Sequence, residues 1–339
     1  MRRLACLCLV TIGLGMAAMP TAADDSDSKS LRAGMIGLDT SHVIAFTKIF
    51  NAEEPTSDVA GVRIVAGYPG GTDIPASADR VEGYTQQLRE SGIEIVETIP
   101  ELLERVDVVL LESVDGRIHL EEAKQVIAAG KPLFIDKPIA GSLVEAIMIF
   151  ELAERAGVPC FSSSSIRFGE GLLNARNSDK LGPVAGCAAW GPCTYQEELP
   201  DLYYYGVHGV EGLFTVMGTG CQTVARTMTE DTDLVVGTWD GGRIGTYRGI
   251  RNNAAGFGFT IFGNKEISNA ERGGYEQLCR EITTFFKTGT SPVPAAETIE
   301  IFAFMDAADE SKRQHGATIA IPEFVANARV EAEKRLAVE

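Results

Sequence analysis

The sequence predicts an α/β fold: a doubly wound parallel sheet in the N-terminal half, then an α+β domain with a large, mostly antiparallel open sheet. Three observations predict it. Short apolar runs alternate with amphipathic helical segments from residue 33 to about 163, the pattern of a parallel sheet covered on both faces. The stretch from Gly130 to Phe168 reads as strand, Lys-Pro turn, helix and strand, one βαβ unit. After Arg167 five strand-like segments follow with few helices between them.

Residues 1–23 have the form of a secretory signal. Arg2 and Arg3 precede an apolar stretch from Leu4 to Met19, and Ala18 to Ala23 supply small residues for cleavage. Residues 24–31 form a polar linker. Export to the periplasm or beyond is expected, with no membrane association once the signal is removed; no later stretch is long and apolar enough to span a bilayer.

Ala33 to Gly37 is a first strand with glycine at its exit. Leu38-Asp39-Thr40-Ser41 leads into a helix from about His42 to Asn51, with Val43, Phe46 and Phe50 inward. Val62 to Ala66 is a second strand, followed by a Tyr68-Pro69-Gly70-Gly71 loop and a polar helix near 78–90. Ile93 to Val96 is a short strand, Ile99 to Arg105 a short helix and Asp107 to Leu111 a strongly apolar strand. A helix from His119 to Ala129 places Leu120, Ala123, Val126 and Ile127 on one face, closed by Gly130. Leu133 to Ile135 is the next strand. Pro138 removes a donor and keeps Lys137 extended at that strand's carboxyl end. Open α/β sheets bind ligands on that rim, which makes Lys137 the first candidate site residue. Ser142 and Glu145 form a capping-box pattern before a helix, and Val158 to Phe161 begins another strand.

In the second half, Val184 to Trp190, Gln222 to Met228, Leu234 to Trp239, Arg243 to Arg248 and Gly256 to Phe262 read as strands. Asp240-Gly241 is a hairpin signal. Helices are expected over YYYGVHGVEGLFTVMG and at about 274–287 and 297–313. The expected domains are residues 32–163 and 164–330.

Formal net charge is −17, and −19 without Arg2 and Arg3. This excludes nucleic acid or an anionic membrane surface as partner. Outside the signal stand Cys160, Cys187, Cys193, Cys221 and Cys279, with no CxxC; Cys187 and Cys193 could pair or remain buried thiols. His42, His119, His208 and His315 form no metal-ligand motif, so no metal is expected.

Several residues together resemble the Gfo/Idh/MocA family, named for glucose–fructose oxidoreductase and inositol dehydrogenase. The family's Glu-Lys-Pro stands here as Asp136-Lys137-Pro138, with His119 and Ala129-Gly130-Lys131 upstream at the family's spacing. The asparagine-x-Arg-Phe element appears as Ser164-Ser165-Ile166-Arg167-Phe168. The Asp-x-Gly-x-His-x-x-Asp pattern appears as Tyr204-Tyr205-Gly206-Val207-His208-Gly209-Val210-Glu211. The resemblance implies an N-terminal Rossmann domain and oligomer contacts through the C-terminal sheet. It also implies an NAD- or NADP-dependent oxidoreductase acting on a sugar or cyclitol hydroxyl. His208 would be the general acid/base and Lys137 would polarise the substrate oxygen, with Tyr204 holding His208. Arg167 and Tyr205 would meet substrate, Arg167 alternatively anchoring the domain junction. Gly37, Leu38, Asp39, Thr40, Ser41, His42, Asp136 and Lys137 would line the cofactor.

The pattern also departs from the family. In the fingerprint G-x-G-x-x-G/A, Gly37 keeps the first glycine, but Asp39 replaces the second and His42 the third. A carboxylate at Asp39 adds bulk and negative charge where pyrophosphate would approach the backbone. Asp39, Thr40 or Ser41 could instead cap the first helix, and His42 and His119 are read as cap residues. No acidic residue ends the second strand to meet ribose hydroxyls. The alternative reading is therefore a carbohydrate-binding or carbohydrate-active protein without redox turnover.

Overall fold

In the computed structural model, which describes residues 30–252 and 256–338, the alternating half folds as expected. The expected signal and the linker up to residue 29 lie outside the described residues. The elements run β1 (Leu31–Ile36), α1 (Ser41–Phe50), β2 (Val62–Tyr68), α2 (Pro75–Ala78), α3 (Val81–Glu90), β3 (Glu94–Ile95) and α4 (Ile99–Arg105). They continue with β4 (Val108–Leu111), α5 (His119–Ala128), β5 (Leu133–Ile135), α6 (Leu143–Ala156) and β6 (Cys160–Ser162). All six strands are parallel, in the order β3-β2-β1-β4-β5-β6. The winding reverses between β1 and β4, the position at which such sheets open a crevice. Side chains alternate across the sheet: Val108 and Leu110 enter one apolar core, Val109 and Leu111 the other.

The second half runs α7 (Glu170–Leu173), β7 (Val184–Pro192), α8 (Gly206–Met217), β8 (Cys221–Met228), β9 (Thr232–Trp239), β10 (Arg243–Ile250), β11 (Gly258–Gly263) and β12 (Ile267–Ala270). Then come α9 (Tyr275–Thr288), α10 (Ala295–Arg313), β13 (Ile319–Ala320) and α11 (Ile321–Leu336). The seven strands order as β12-β11-β7-β10-β9-β8-β13, antiparallel except for the parallel pair β7 and β10. Helix α8 lies directly on this sheet. A Cβ at Gly209 would come within 2.3 Å of the Tyr247 ring, and one at Gly212 within 2.3 Å of Phe259. The two glycines cost helix propensity but permit this close approach.

The sequence reading did not contain strands β12 and β13 or the short helices α2 and α7, and two larger features also differ from expectation. Helix α11, absent from the sequence reading, buries only Ile321, Ala328 and Ala332, too narrow a stripe to announce itself by periodicity. Helix α9 returns to the first sheet: Leu278, Cys279, Ile282 and Phe285 share a core with Phe46, Phe134 and Phe161. Phe161 and Phe285 meet edge to face at 4.6 Å. The five cysteines outside the signal are unpaired thiols, Cys187 and Cys193 among them.

Candidate functional site

The strand ends of the first sheet carry a concentration of buried acid. Gly37 turns the chain out of β1 at φ +83°, where a Cβ would sit 2.5 Å from the Ser113 backbone. Leu38 points into the core. Asp39 is fully buried: its Oδ1 accepts from Val114 N at 3.0 Å and its Oδ2 from Ser77 Oγ at 2.6 Å. It therefore ties β1 to the chain after β4 and to α2, and does not cap α1. The cap is Thr40, whose Oγ1 accepts from His42 N at 3.4 Å.

His42 is likewise not a cap. It lies inside the first turn of α1, and its Nδ1 is 2.6 Å from Asp136 Oδ2, both side chains buried. Beside Asp136 stands Glu112. The two follow β4 and β5, which are paired with Leu111 opposite Ile135, so the carboxylates emerge side by side. Among the described residues, neither oxygen of Glu112 has a hydrogen-bond partner, and Asp136 Oδ1 has none. Burial, reinforced by Asp136 and Asp39, pushes Glu112 well above the usual carboxylate range. Burial also opposes the charge on Asp136, but His42 and Lys137 outweigh it and hold Asp136 low. Burial raises Asp39, and pushes Glu122, which accepts from Ser113 Oγ, up to about 8. His119 is a buried clamp rather than a cap, its ring nitrogens 2.7 Å from Ser113 O and 3.2 Å from Ile139 O.

Next to this cluster opens a pocket of about 400 Å³ whose lining includes Thr40, Ser41, His42, Lys137, Tyr204, Tyr205 and His208. Of the residues expected there, Gly37, Leu38, Asp39, Asp136 and Arg167 do not line it. Lys137 is half-buried. Its Nζ donates to the Tyr204 carbonyl oxygen at 3.3 Å and lies 5.7 and 6.0 Å from the Tyr204 and Tyr205 ring centres. Burial lowers its pKa against the opposing pull of Asp136 and Glu112. The His208 ring is held not by Tyr204 but by Ser164, whose Oγ is 2.6 Å from Nδ1. Ser164 Oγ also accepts from Ile166 N at 3.2 Å. A proton donated by Ser164 to Nδ1 places the hydrogen of the neutral ring on Nε2, which has no protein partner among the described residues. Burial, with Lys137 nearby, drives the His208 pKa well below its ordinary value.

Arg167 is buried at the junction of the two halves. Its guanidinium pairs with Glu211 at 2.6 Å and with Glu297, so it serves as an internal anchor and not as a substrate contact. The sequence reading missed Glu112, Ser164, Arg80 and Arg272. Ser164 was within reach, since it opens the Arg-Phe element. Glu112 carried a weaker signal, a single acid directly after an apolar strand. Arg80 and Arg272 line the pocket and, among the described residues, form no ion pair.

Residues 32–164 match the family model described as GFO_IDH_MocA, an oxidoreductase family with an NAD-binding Rossmann fold. The N-terminal domain belongs to the Gfo/Idh/MocA family. Solved structures of similar fold cover nearly the whole chain. A scyllo-inositol dehydrogenase from Lactobacillus casei with bound NAD(H) and scyllo-inositol is 13% identical, covering 87% of this chain and 100% of its own, at TM-score 0.69. An oxidoreductase from Agrobacterium radiobacter in complex with NAD+, L-tartaric acid and magnesium is 16% identical, covering 87% and 99%, at TM-score 0.70. GenD2 from gentamicin A biosynthesis, in complex with NAD, is 16% identical, covering 92% and 99%, at TM-score 0.70. At these identities the likeness is one of fold alone. No curated protein matches the chain in sequence at a significant level.

Proposed function

We propose that this Gfo/Idh/MocA protein takes a sugar or cyclitol ring into the pocket beside Lys137 and His208 and works on it without NAD(P). The observation that carries this reading is the buried Asp39 carboxylate at the second-glycine position, already bonded to Val114 N and Ser77 Oγ. A dinucleotide needs its pyrophosphate against the backbone there. Asp115 and Asp136, buried at the strand ends and held below the usual carboxylate range, would repel its charge. Strand β2 ends in Gly67-Tyr68 with no acid for a ribose. These residues do not fit the cofactor.

The pocket itself suits a polyhydroxylated ring. Tyr204 and Tyr205 offer aromatic surface, and Lys137 offers a cation on the same wall. His208 supplies a neutral ring nitrogen that can hold or release a proton at a ring oxygen. Arg80 and Arg272, which pair with no carboxylate among the described residues, add positive charge that favours a ring bearing a carboxylate.

Calorimetry with scyllo-inositol, glucose and glucuronate, with and without NAD+ and NADP+, tests the reading. Ring binding without cofactor, strongest for glucuronate, is expected. Micromolar affinity for NAD+ or NADP+ overturns the cofactor-free part; no affinity for any ring overturns the carbohydrate part. The second reading is NAD(P)-dependent oxidation of a ring hydroxyl. It is favoured by the joint presence of Lys137 and His208 in one pocket, and the same titration decides between the two.

We also propose that the open sheet mediates self-association. Ile244 on β10, Gly186 on β7, Phe262 on β11 and Ile267 on β12 lie in register side by side. Ile244, Phe262 and Ile267 are exposed, an apolar row across four strands. Ile244→Glu should lower the mass measured by light scattering if the row is an interface; an unchanged mass refutes it. Export rests on the form of residues 1–23, and cell fractionation checks it.

A further inference from the structure

The strand-end crevice holds three carboxylate oxygens that no described residue satisfies, both of Glu112 and Oδ1 of Asp136. One ring nitrogen of His42, one oxygen of Glu112 and one oxygen of Asp136 all lie within 4.8 Å of one another. Donor atoms around one divalent first-row ion sit about 2.0–2.2 Å from it, hence roughly 3–4 Å from each other. The set needs only a small contraction. We propose that His42, Glu112 and Asp136 form a binding site for a single divalent transition-metal cation of the manganese-to-zinc class.

Three observations carry the assignment beyond mere proximity. Glu112 is completely buried, and both its oxygens lack a hydrogen-bond partner among the described residues, as does Asp136 Oδ1. Native proteins rarely leave such atoms unpaired without a use. The available cation does not serve them: Lys137 Nζ donates to the Tyr204 carbonyl, and no ion pair joins it to Glu112 or Asp136 among the described residues. Finally, the donor set is mixed. One imidazole and two carboxylates suit manganese, iron or zinc better than calcium or magnesium, which favour oxygen alone. A cation between His42 and Asp136 would replace the proton that now joins them at 2.6 Å. His42 also lines the pocket, which puts the ion between the sheet end and the pocket floor.

The elements that carry the three ligands hold them firmly. Asp136 and Glu112 come from adjacent paired strands, and His42 from the first turn of a helix packed on the same sheet, so all three project from rigid elements. The inference rests on the reading that no dinucleotide occupies this crevice.

The test is titration of the mature protein, stripped with chelator, with Mn2+ followed by electron paramagnetic resonance, NAD+ affinity being measured on the same sample. One bound Mn2+ per chain is expected. Glu112→Gln and His42→Gln should each weaken it by at least about tenfold, since even outer-shell changes cost 10–100-fold. Circular dichroism confirms that both variants are folded. Should Glu112→Gln fail to fold, Mn2+ anomalous diffraction from the native protein locates the ion directly. No bound Mn2+, or binding unaltered in both variants, overturns the site. Tight NAD+ binding instead overturns the cofactor-free reading, so the two failures are distinct.

Discussion

His42 Nδ1 lies 2.6 Å from Asp136 Oδ2, joining the first helix to the end of β5 across the crevice where the fingerprint glycines would otherwise leave room. Both side chains are buried. Removing one member of a buried pair strands the other, at a cost of about 3–5 kcal/mol. His42→Ala should therefore destabilise the metal-free protein by several kcal/mol in urea unfolding, and Asp136→Asn should recover part of the loss in the double variant. Independent, additive effects would show that the pair is not coupled.

Asp39 predicts a second cost. Asp39→Ala leaves Val114 N–H buried without its acceptor, worth about 1–3 kcal/mol. Asp39→Asn keeps an acceptor and should fall between the native protein and the alanine variant. Equal stability of all three proteins would contradict the tie inferred between β1 and the chain after β4.

Glu122 gives a pH dependence of unusual sign. Its folded pKa of about 8 lies above the ordinary 4.5, with burial as the leading cause. Between those values the folded state holds the proton more tightly than the unfolded state. Stability from this group is therefore full below about pH 4.5 and declines as pH rises, by at most about 1.4 kcal/mol per unit, until about pH 8. Glu122→Gln should flatten that part of the profile and be more stable than the native protein at pH 9. A profile unchanged by the substitution would refute the assignment.

His208 acts in the opposite direction. Its pKa is depressed, so the ring stays neutral in the folded state while unfolded chains protonate below about 6.5. Its contribution is complete above that value and weakens as pH falls. Nitrogen-15 NMR of the imidazole should find a neutral ring at pH 6 with hydrogen on Nε2. Ser164→Ala removes the group that sets this tautomer and should mix the two forms. An imidazolium signal at pH 6 would refute the assignment.

Lys137 separates chemistry from structure. It makes one long hydrogen bond, at 3.3 Å, and no ion pair among the described residues. Lys137→Ala should change unfolding free energy by no more than about 1 kcal/mol while abolishing ring binding or turnover. A large loss of stability would assign it a structural role instead.

The fold was legible in the sequence because periodicity reports burial, and burial dictates layers. The runs around Met35, Leu110 and Phe134 are apolar on both faces because helices cover both faces, and the Lys-Pro turn marked the rim. The site was legible in part. Lys137, His208 and Tyr205 do share one pocket, because each sits at an element end that the fold class places on that rim. Arg167 left two readings open, substrate contact or junction anchor, because an arginine paired with Glu211 and Glu297, 44 and 130 residues away, looks the same in sequence as one that awaits a substrate.

What the sequence determined by itself is the alternation of strands and helices in the N-terminal half, the exchange of two fingerprint glycines for Asp39 and His42, and the retention of Lys137 beside Pro138. These are local facts, set by residue type and spacing. Only the tertiary structure decided what those exchanges do. Strands β4 and β5 pair in register, so Glu112 and Asp136 become neighbours although 24 positions separate them. Helix α1 then brings His42 onto the same spot. Electrostatic and hydrogen-bond partners are chosen by distance in space, and burial gives an unpaired carboxylate its cost. Neither quantity exists until the chain has folded.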